Sequence, residues 1–283
     1  MAYAGRMADG APPMVMGIVN VTPDSFYDGG RYLDAAAAVE HGRELLAEGA
    51  DLLDVGGESS RPGAVPVDEE EELARILPVI EALAGQGCRV SVDTVKAGVA
   101  ARAVAAGATL INDVSGELWP VAAEVGVGWV AMHRRGTAAT MQGLAQYGDV
   151  VQEVHRSVLE MGARAAAAGV REVWLDPGIG FAKTAAHNLE LLGHLGDLVD
   201  AAAEAGQGVL VGTSRKSFLG RIGSGGGDGR HRDPLPVEDR LPGSLATTVW
   251  AVTRGVGMVR VHDVAATVRA VRLIGTAGSE AVA

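Results

Sequence analysis

Short apolar runs alternate with Ala-rich stretches of helical periodicity from one end of the chain to the other. The runs are Val15–Asn20, Leu52–Val55, Arg89–Asp93, Leu110–Asn112, Trp129–Met132, Val173–Asp176, Val209–Gly212 and Met258–Val261. Most are continuous rather than alternating, the pattern of strands buried on both faces of a parallel sheet. Between them, Ala35, Val39, Gly42 and Leu46 mark one stripe of a helix, while Glu40, Arg43, Glu44 and Glu48 lie elsewhere around it. Asp68 is placed to cap a Glu-rich helix running to Leu83. Lys96–Ala106, Tyr147–Ala168 and Leu241–Arg254 predict further helices.

Eight strands, each followed by a helix, within 283 residues predict an α/β fold, a single-domain (β/α)8 TIM barrel. Its expected extent is residues 14–275, with 1–13 and 276–283 as flexible termini. The rival, a doubly wound open sheet, usually carries a Gly-rich phosphate loop after its first strand. Here that place holds Asn20-Val-Thr-Pro-Asp24. The low-complexity stretch at 223–229 is expected to be a mobile surface loop.

Composition narrows the classes. Lys and Arg number 24 against 35 Asp and Glu, a net charge of −11, which disfavours non-specific nucleic-acid binding. One cysteine, Cys88, excludes an internal disulfide and a Cys-based zinc site. No apolar run approaches the ~20 residues of a membrane helix. Residues 1–13 hold two Pro and no apolar leader core, so a cytoplasmic setting is expected.

The chemistry gathers where strands end. In order, the runs finish in or beside Asn20, Asp54, Asp93, Asn112, His133, Asp176, Ser214 and His262. In a (β/α)8 barrel these ends converge on the C-terminal mouth, where active sites are built. Arg61 lies in the second loop, Arg215 and Lys216 follow the seventh strand, and Arg260 and His262 share one face of the eighth. Arg61, Arg260 and His262 suit a phosphate clamp. The other reading pairs them internally with Asp54 or Asp93. The sequence holds no nucleophile elbow, no complete P-loop and no His-x-x-x-His helix pair. His41, His155, His187 and His194 read as surface or helix residues.

Seven segments then match a known family. They are Asn20-Val-Thr-Pro-Asp-Ser-Phe26, Gly56-Gly-Glu-Ser-Ser-Arg-Pro-Gly63, Ser91-Val-Asp-Thr94, Ile111-Asn-Asp-Val-Ser-Gly116, Asp176-Pro-Gly-Ile-Gly-Phe-Ala-Lys183, Gly212-Thr-Ser-Arg-Lys-Ser217 and Arg260-Val-His-Asp263. In this order they closely resemble the dihydropteroate synthase family, from about Met14 to Leu273. The resemblance implies a transferase of folate biosynthesis that joins (7,8-dihydropterin-6-yl)methyl diphosphate to 4-aminobenzoate. Diphosphate is released, and sulfonamides compete for the aminobenzoate place.

By the same resemblance, Asp176 accepts from the pterin 2-amino group and N3, Asn112 meets the neighbouring ring edge, and Asp93 the far ring nitrogen. Lys216 donates to the pterin oxygen and a ring nitrogen. Phe181 and the Lys216 stem hold the aminobenzoate ring. Asn20 ligates Mg2+. Ser60, Arg61, Arg260 and His262 bind diphosphate, making Lys216, Arg260, His262 and Arg61 the catalytic set. Loops 21–32 and 56–66 close over the site. A homodimer with small-molecule substrates is implied, without nucleic-acid or membrane partners. The chain departs from the family pattern at Ser60, where Thr is usual, and at Arg134-Arg135 after His133.

Two other classes share the barrel. A pterin-binding methyltransferase domain would partner a corrinoid protein and lack the diphosphate clamp that Arg61, Arg260 and His262 suggest. A diverged, non-catalytic pterin-binding paralogue would be expected to lose the Glu58-to-Pro62 loop and the Ser214-Arg215-Lys216 segment, which this chain keeps.

Overall fold

The structure is a computed structural model that describes residues 12–22, 31–59, 63–224 and 233–277. Eight parallel strands close into a barrel in chain order. They are β1 (Met14–Asn20), β2 (Leu52–Gly56), β3 (Val90–Asp93), β4 (Leu110–Asp113), β5 (Gly128–Met132), β6 (Val173–Asp176), β7 (Gly208–Val211) and β8 (Met258–Val261). The ring closes where Met14 of β1 stands beside Met258 of β8.

Each strand is followed by at least one helix. Asp68 caps the helix Glu69–Ala84 by accepting from the Glu71 amide at 2.8 Å, as its position predicts. The main core lies between the strands' outer faces and these helices. Val55, Val92, Ile111 and Leu175 pack there with Ile76, Ile80 and Leu83. A second, smaller core fills the barrel with Met16, Leu52, Leu110, Val130, Trp174, Leu210 and Met258.

That inner core explains where the polar residues sit. Side chains two apart on a strand share a face. Asp54 follows Leu52, Asn112 follows Leu110, Asp176 follows Trp174 and Arg260 follows Met258, each by two residues. The apolar member of each pair lies deeper in the barrel, and the polar member stands above it at the C-terminal mouth. At the opposite end, Arg89 donates to Glu172 at 2.6 Å, and Glu172 also accepts from the Trp174 indole at 2.8 Å.

Several expected boundaries move. β7 sits one residue earlier than expected, and β2 and β4 each run one residue longer. The helix expected from Tyr147 starts at Val150, because Asp149 caps it through the Gln152 amide at 2.9 Å. The stripe on the helix Arg31–Ala47 is rotated. Ala38, Gly42 and Leu45 are its buried centre, while Ala35, Val39 and Leu46 flank it half-buried. Two helices, Ala185–Gly193 and Leu195–Glu204, follow β6 where one was expected. Among the described helices none is long and apolar enough to cross a membrane. Most of the stretch 223–229 and the outer parts of both termini lie outside the described residues.

Candidate active site

The mouth is organised around Arg260. Its Nε donates to Asp54 Oδ2 at 2.5 Å, and its Nη2 donates to Asp93 Oδ2 at 2.8 Å. Asn112 Nδ2 donates to the same Asp54 oxygen at 2.8 Å. β2, β3, β4 and β8 thus each send one side chain into a single network. Glycine makes room for it. A Cβ at Gly56 would sit 3.3 Å from the Asp93 Cβ, tighter than ordinary contact.

Asp54 is fully buried and Asp93 nearly so. Burial pushes Asp93 up to about 7, with Arg260 pulling it down and Asp54 pushing further up. Burial also works against the Arg260 charge, but Asp54 and Asp93 outweigh it and hold the guanidinium above its ordinary pKa. Of the two readings of Arg260, pairing with Asp54 and Asp93 describes it in this structure.

Asp176 ends β6 and accepts from the Gly178 amide at 2.7 Å through Oδ1. Burial raises its pKa, against the pull of Lys216. Lys216 Nζ donates to the Ile179 carbonyl and lies 4.6 Å from the centre of the Phe181 ring. Burial lowers Lys216 to about 8. The loop after β6 and the residues after β7 are therefore locked together across the mouth.

His262 stands just beyond β8. Its amide donates to Ser214 Oγ at 3.1 Å, and Ser214 Oγ lies 3.0 Å from its Nδ1. Arg215, in a left-handed conformation at φ 58°, turns away to pair with Asp263 at 2.5 Å.

Asn20 closes β1 beside Gly56. Among the described residues no group of three or more His, Cys, Asp or Glu is arranged to hold a metal. Asn20 offers one amide oxygen. That donor set fits a cation held mainly by substrate oxygens and water, which is how Mg2+ commonly binds. Ser60 and Arg61 lie outside the described residues, as do residues 23–30 of the first loop.

The structure thus brings Asp93 and Arg260 into contact, joins Asn112 to them through Asp54, and sets Lys216 against Phe181 and the loop of Asp176. Sequence reasoning saw Asp54 only as a strand end and a possible partner. The repeat of an apolar residue followed two places later by a polar one would have put it in the site. It assigned no role to Lys183 or Lys96. Lys96 Nζ donates to Glu58 at 2.5 Å and also to the fully buried Glu72. These bonds fix the start of the second loop from behind.

Residues 16–262 match the family of pterin binding enzymes. A dihydropteroate synthase of Mycobacterium leprae is 46% identical over 273 residues, covering 94% of this chain and 93% of the relative. The chain belongs to the dihydropteroate synthase family. Solved dihydropteroate synthases share its architecture. That of Xanthomonas albilineans with 4-aminobenzoic acid superposes with a TM-score of 0.83 at 46% identity, covering 95% of this chain and 94% of that one. The Xanthomonas albilineans dihydropteroate synthase in complex with 7,8-dihydropteroate gives 0.79 at 44% identity, covering 95% of each.

Proposed function

We propose that the chain condenses (7,8-dihydropterin-6-yl)methyl diphosphate with 4-aminobenzoate, giving 7,8-dihydropteroate and diphosphate. The observation that carries this reading is the Arg260–Asp54–Asp93–Asn112 network at the barrel mouth. It lies in a chain that belongs to the dihydropteroate synthase family over nearly its whole length.

The pterin presents two adjacent N–H donors on its pyrimidine edge. Asp176 offers two acceptor oxygens, and its bond from Gly178 fixes the carboxylate's orientation before substrate arrives. Asn112 and Asp93 meet the other ring edges. Lys216, swinging from Ile179, donates to the pterin oxygen, and its stem with the Phe181 ring forms the aminobenzoate slot.

The C–O bond to diphosphate breaks first, its electron pair leaving with the diphosphate. Arg260 is already planar and anchored through Nε and Nη2, so it stabilises the departing charge without reorganising. By the family resemblance, His262, Ser60 and Arg61 share the binding of that anion. The ionised Asp93 carboxylate beside Arg260 favours the electron-poor pterin methylene. The aminobenzoate amine then supplies the lone pair of the new C–N bond, and its surplus proton passes to diphosphate or water. No protein nucleophile is required. Asn20 would hold Mg2+, which would supply charge neutralisation at the diphosphate.

A homodimer, competition by sulfonamides and a cytoplasmic setting belong to the same proposal. The first two rest on the family resemblance, and the setting on the composition of the chain.

The test is the mass of the product after the purified protein meets both substrates and Mg2+. Dihydropteroate is expected. Unchanged substrates would instead favour a non-catalytic pterin-binding paralogue.

A further inference from the structure

The loop after β6 places three residues in five in the left-handed region: Gly178 at φ 66°, Gly180 at φ 88° and Ala182 at φ 49°. At Gly178 a Cβ would fall 1.9 Å from the His133 carbonyl, so only glycine fits. Ala182 has no such freedom, and something must hold it there. These turns aim the carbonyls of Gly178 and Phe181 at one point, and the Lys183 ammonium fills it. Nζ lies 3.0 Å from Gly178 O, 3.1 Å from Phe181 O and 3.0 Å from His133 Nδ1, with His133 O at 3.5 Å.

Lys183 is 5% exposed, and among the described residues no carboxylate forms an ion pair with it. Its hydrogen-bond partners are carbonyls and an imidazole, which fix backbone, while the Asp176 charge favours the ammonium from farther off. Burial lowers the ammonium to about 7, and burial with the Lys183 charge lowers His133 to about 3, so the ring stays neutral and accepts. From the other side, the Tyr147 hydroxyl donates to the Ala182 carbonyl at 3.0 Å. Phe181, between these two anchored residues, packs its ring against Lys216.

We propose that Lys183 is a positioning residue for the aminobenzoate slot, its caged ammonium holding the loop that sets the Phe181 ring against Lys216. This rests on the function proposed above. The donors of Lys183 are taken up by two loop carbonyls and the His133 ring, so it acts through the loop. A lysine that only supported the barrel would affect both substrates alike; Lys183 also holds Gly178, whose amide orients Asp176, but its hold on Phe181 makes the aminobenzoate effect the larger.

The experiment varies each substrate at saturating levels of the other. Lys183→Met should raise KM for 4-aminobenzoate ~10-fold or more, as expected for a small misplacement of a binding surface. KM for the pterin diphosphate should rise several-fold less than that, because Asp176 keeps its bond from the Gly178 amide. Lys183→Arg, which keeps the charge and its donors, should restore part of the aminobenzoate KM. An equal rise in both constants, or an unchanged aminobenzoate KM, overturns the proposal. If Lys183→Met does not melt cooperatively, Tyr147→Phe decides: a smaller rise confined to aminobenzoate supports the proposal, and no rise overturns it. An inactive wild-type protein overturns the proposed function, whereas an active one without the split overturns the role of Lys183 alone.

Discussion

Arg260 and Asp93 lie 167 residues apart in the chain, and their side chains meet at 2.8 Å across the barrel mouth. With Asp54 on the neighbouring nitrogen, the guanidinium is held between two acids. The site is therefore charged and oriented before any substrate enters. Such preorganisation is what lets an electrostatic group act without a cost of rearrangement during reaction.

Removing Arg260 should expose that arrangement. Arg260→Ala is expected to lower kcat/KM by ~10²–10³, the scale of losing one preorganised charge stabiliser. Binding of a pterin without diphosphate should fall less. The melting midpoint should fall too, because Asp54 is fully buried and would lose its cation. Steady-state kinetics beside a melting curve checks both. Turnover close to wild type would remove Arg260 from the reaction.

The barrel, and much of this mouth, is legible in the chain. A rhythm of apolar runs and helices fixes the barrel because strands buried on both faces read as continuous apolar stretches. All eight strand ends carry polar groups, and several of them converge. What the pattern hides is contact at long range. Asp54 reads as one more strand end until Arg260 and Asn112 are seen to share its oxygen. Lys183 reads as the end of a loop, since nothing local shows that left-handed turns fold two carbonyls onto its ammonium. The stripe on the first helix shifts because the barrel, not the helix, decides which flank is covered.

Asp93 gives the site a pH dependence. Its carboxyl is raised to about 7, first by burial, with Arg260 lowering it and Asp54, Glu72 and Asp113 raising it. The ionised form favours the electron-poor pterin, so activity is lost as the group takes up a proton. kcat/KM for the pterin diphosphate is expected to rise from pH 5 to 8 with an apparent midpoint near about 7. Asp93→Asn should be slow and lack that limb. A variant that keeps the same limb would assign the titration elsewhere.

The second loop is held by Lys96 between Glu58 and Glu72. Lys96→Met leaves the fully buried Glu72 without its cation, a loss of about 3 kcal/mol in stability by analogy with broken buried pairs. It also takes the cation from Glu58, at the root of the loop that carries Ser60 and Arg61, leaving the bond from the Val67 amide at 3.1 Å. KM for the pterin diphosphate should rise, while affinity for a pterin lacking diphosphate is kept. Denaturant melts and calorimetry read the two effects separately, and equal losses for both ligands would contradict the anchoring role.

Asp176→Asn tests the reading of the pterin edge. The amide retains an oxygen for Gly178 but sets an NH2 against one pterin donor. Pterin binding should weaken at least ~10–100-fold, because a buried donor loses a charged partner. Without ligand, the melting midpoint should hold or rise, since the substitution removes a carboxylate that burial disfavours. Unchanged affinity would remove Asp176 from the site, and a collapsed melt would make its role structural.

The synthase reading itself meets its most direct test in the stoichiometry of turnover. The wild-type protein is incubated with the pterin diphosphate and Mg2+, with and without 4-aminobenzoate, and both products are counted. The account predicts one diphosphate released for each dihydropteroate formed, in amounts set by the aminobenzoate supplied. Pterin binding without aminobenzoate-dependent diphosphate release would contradict it.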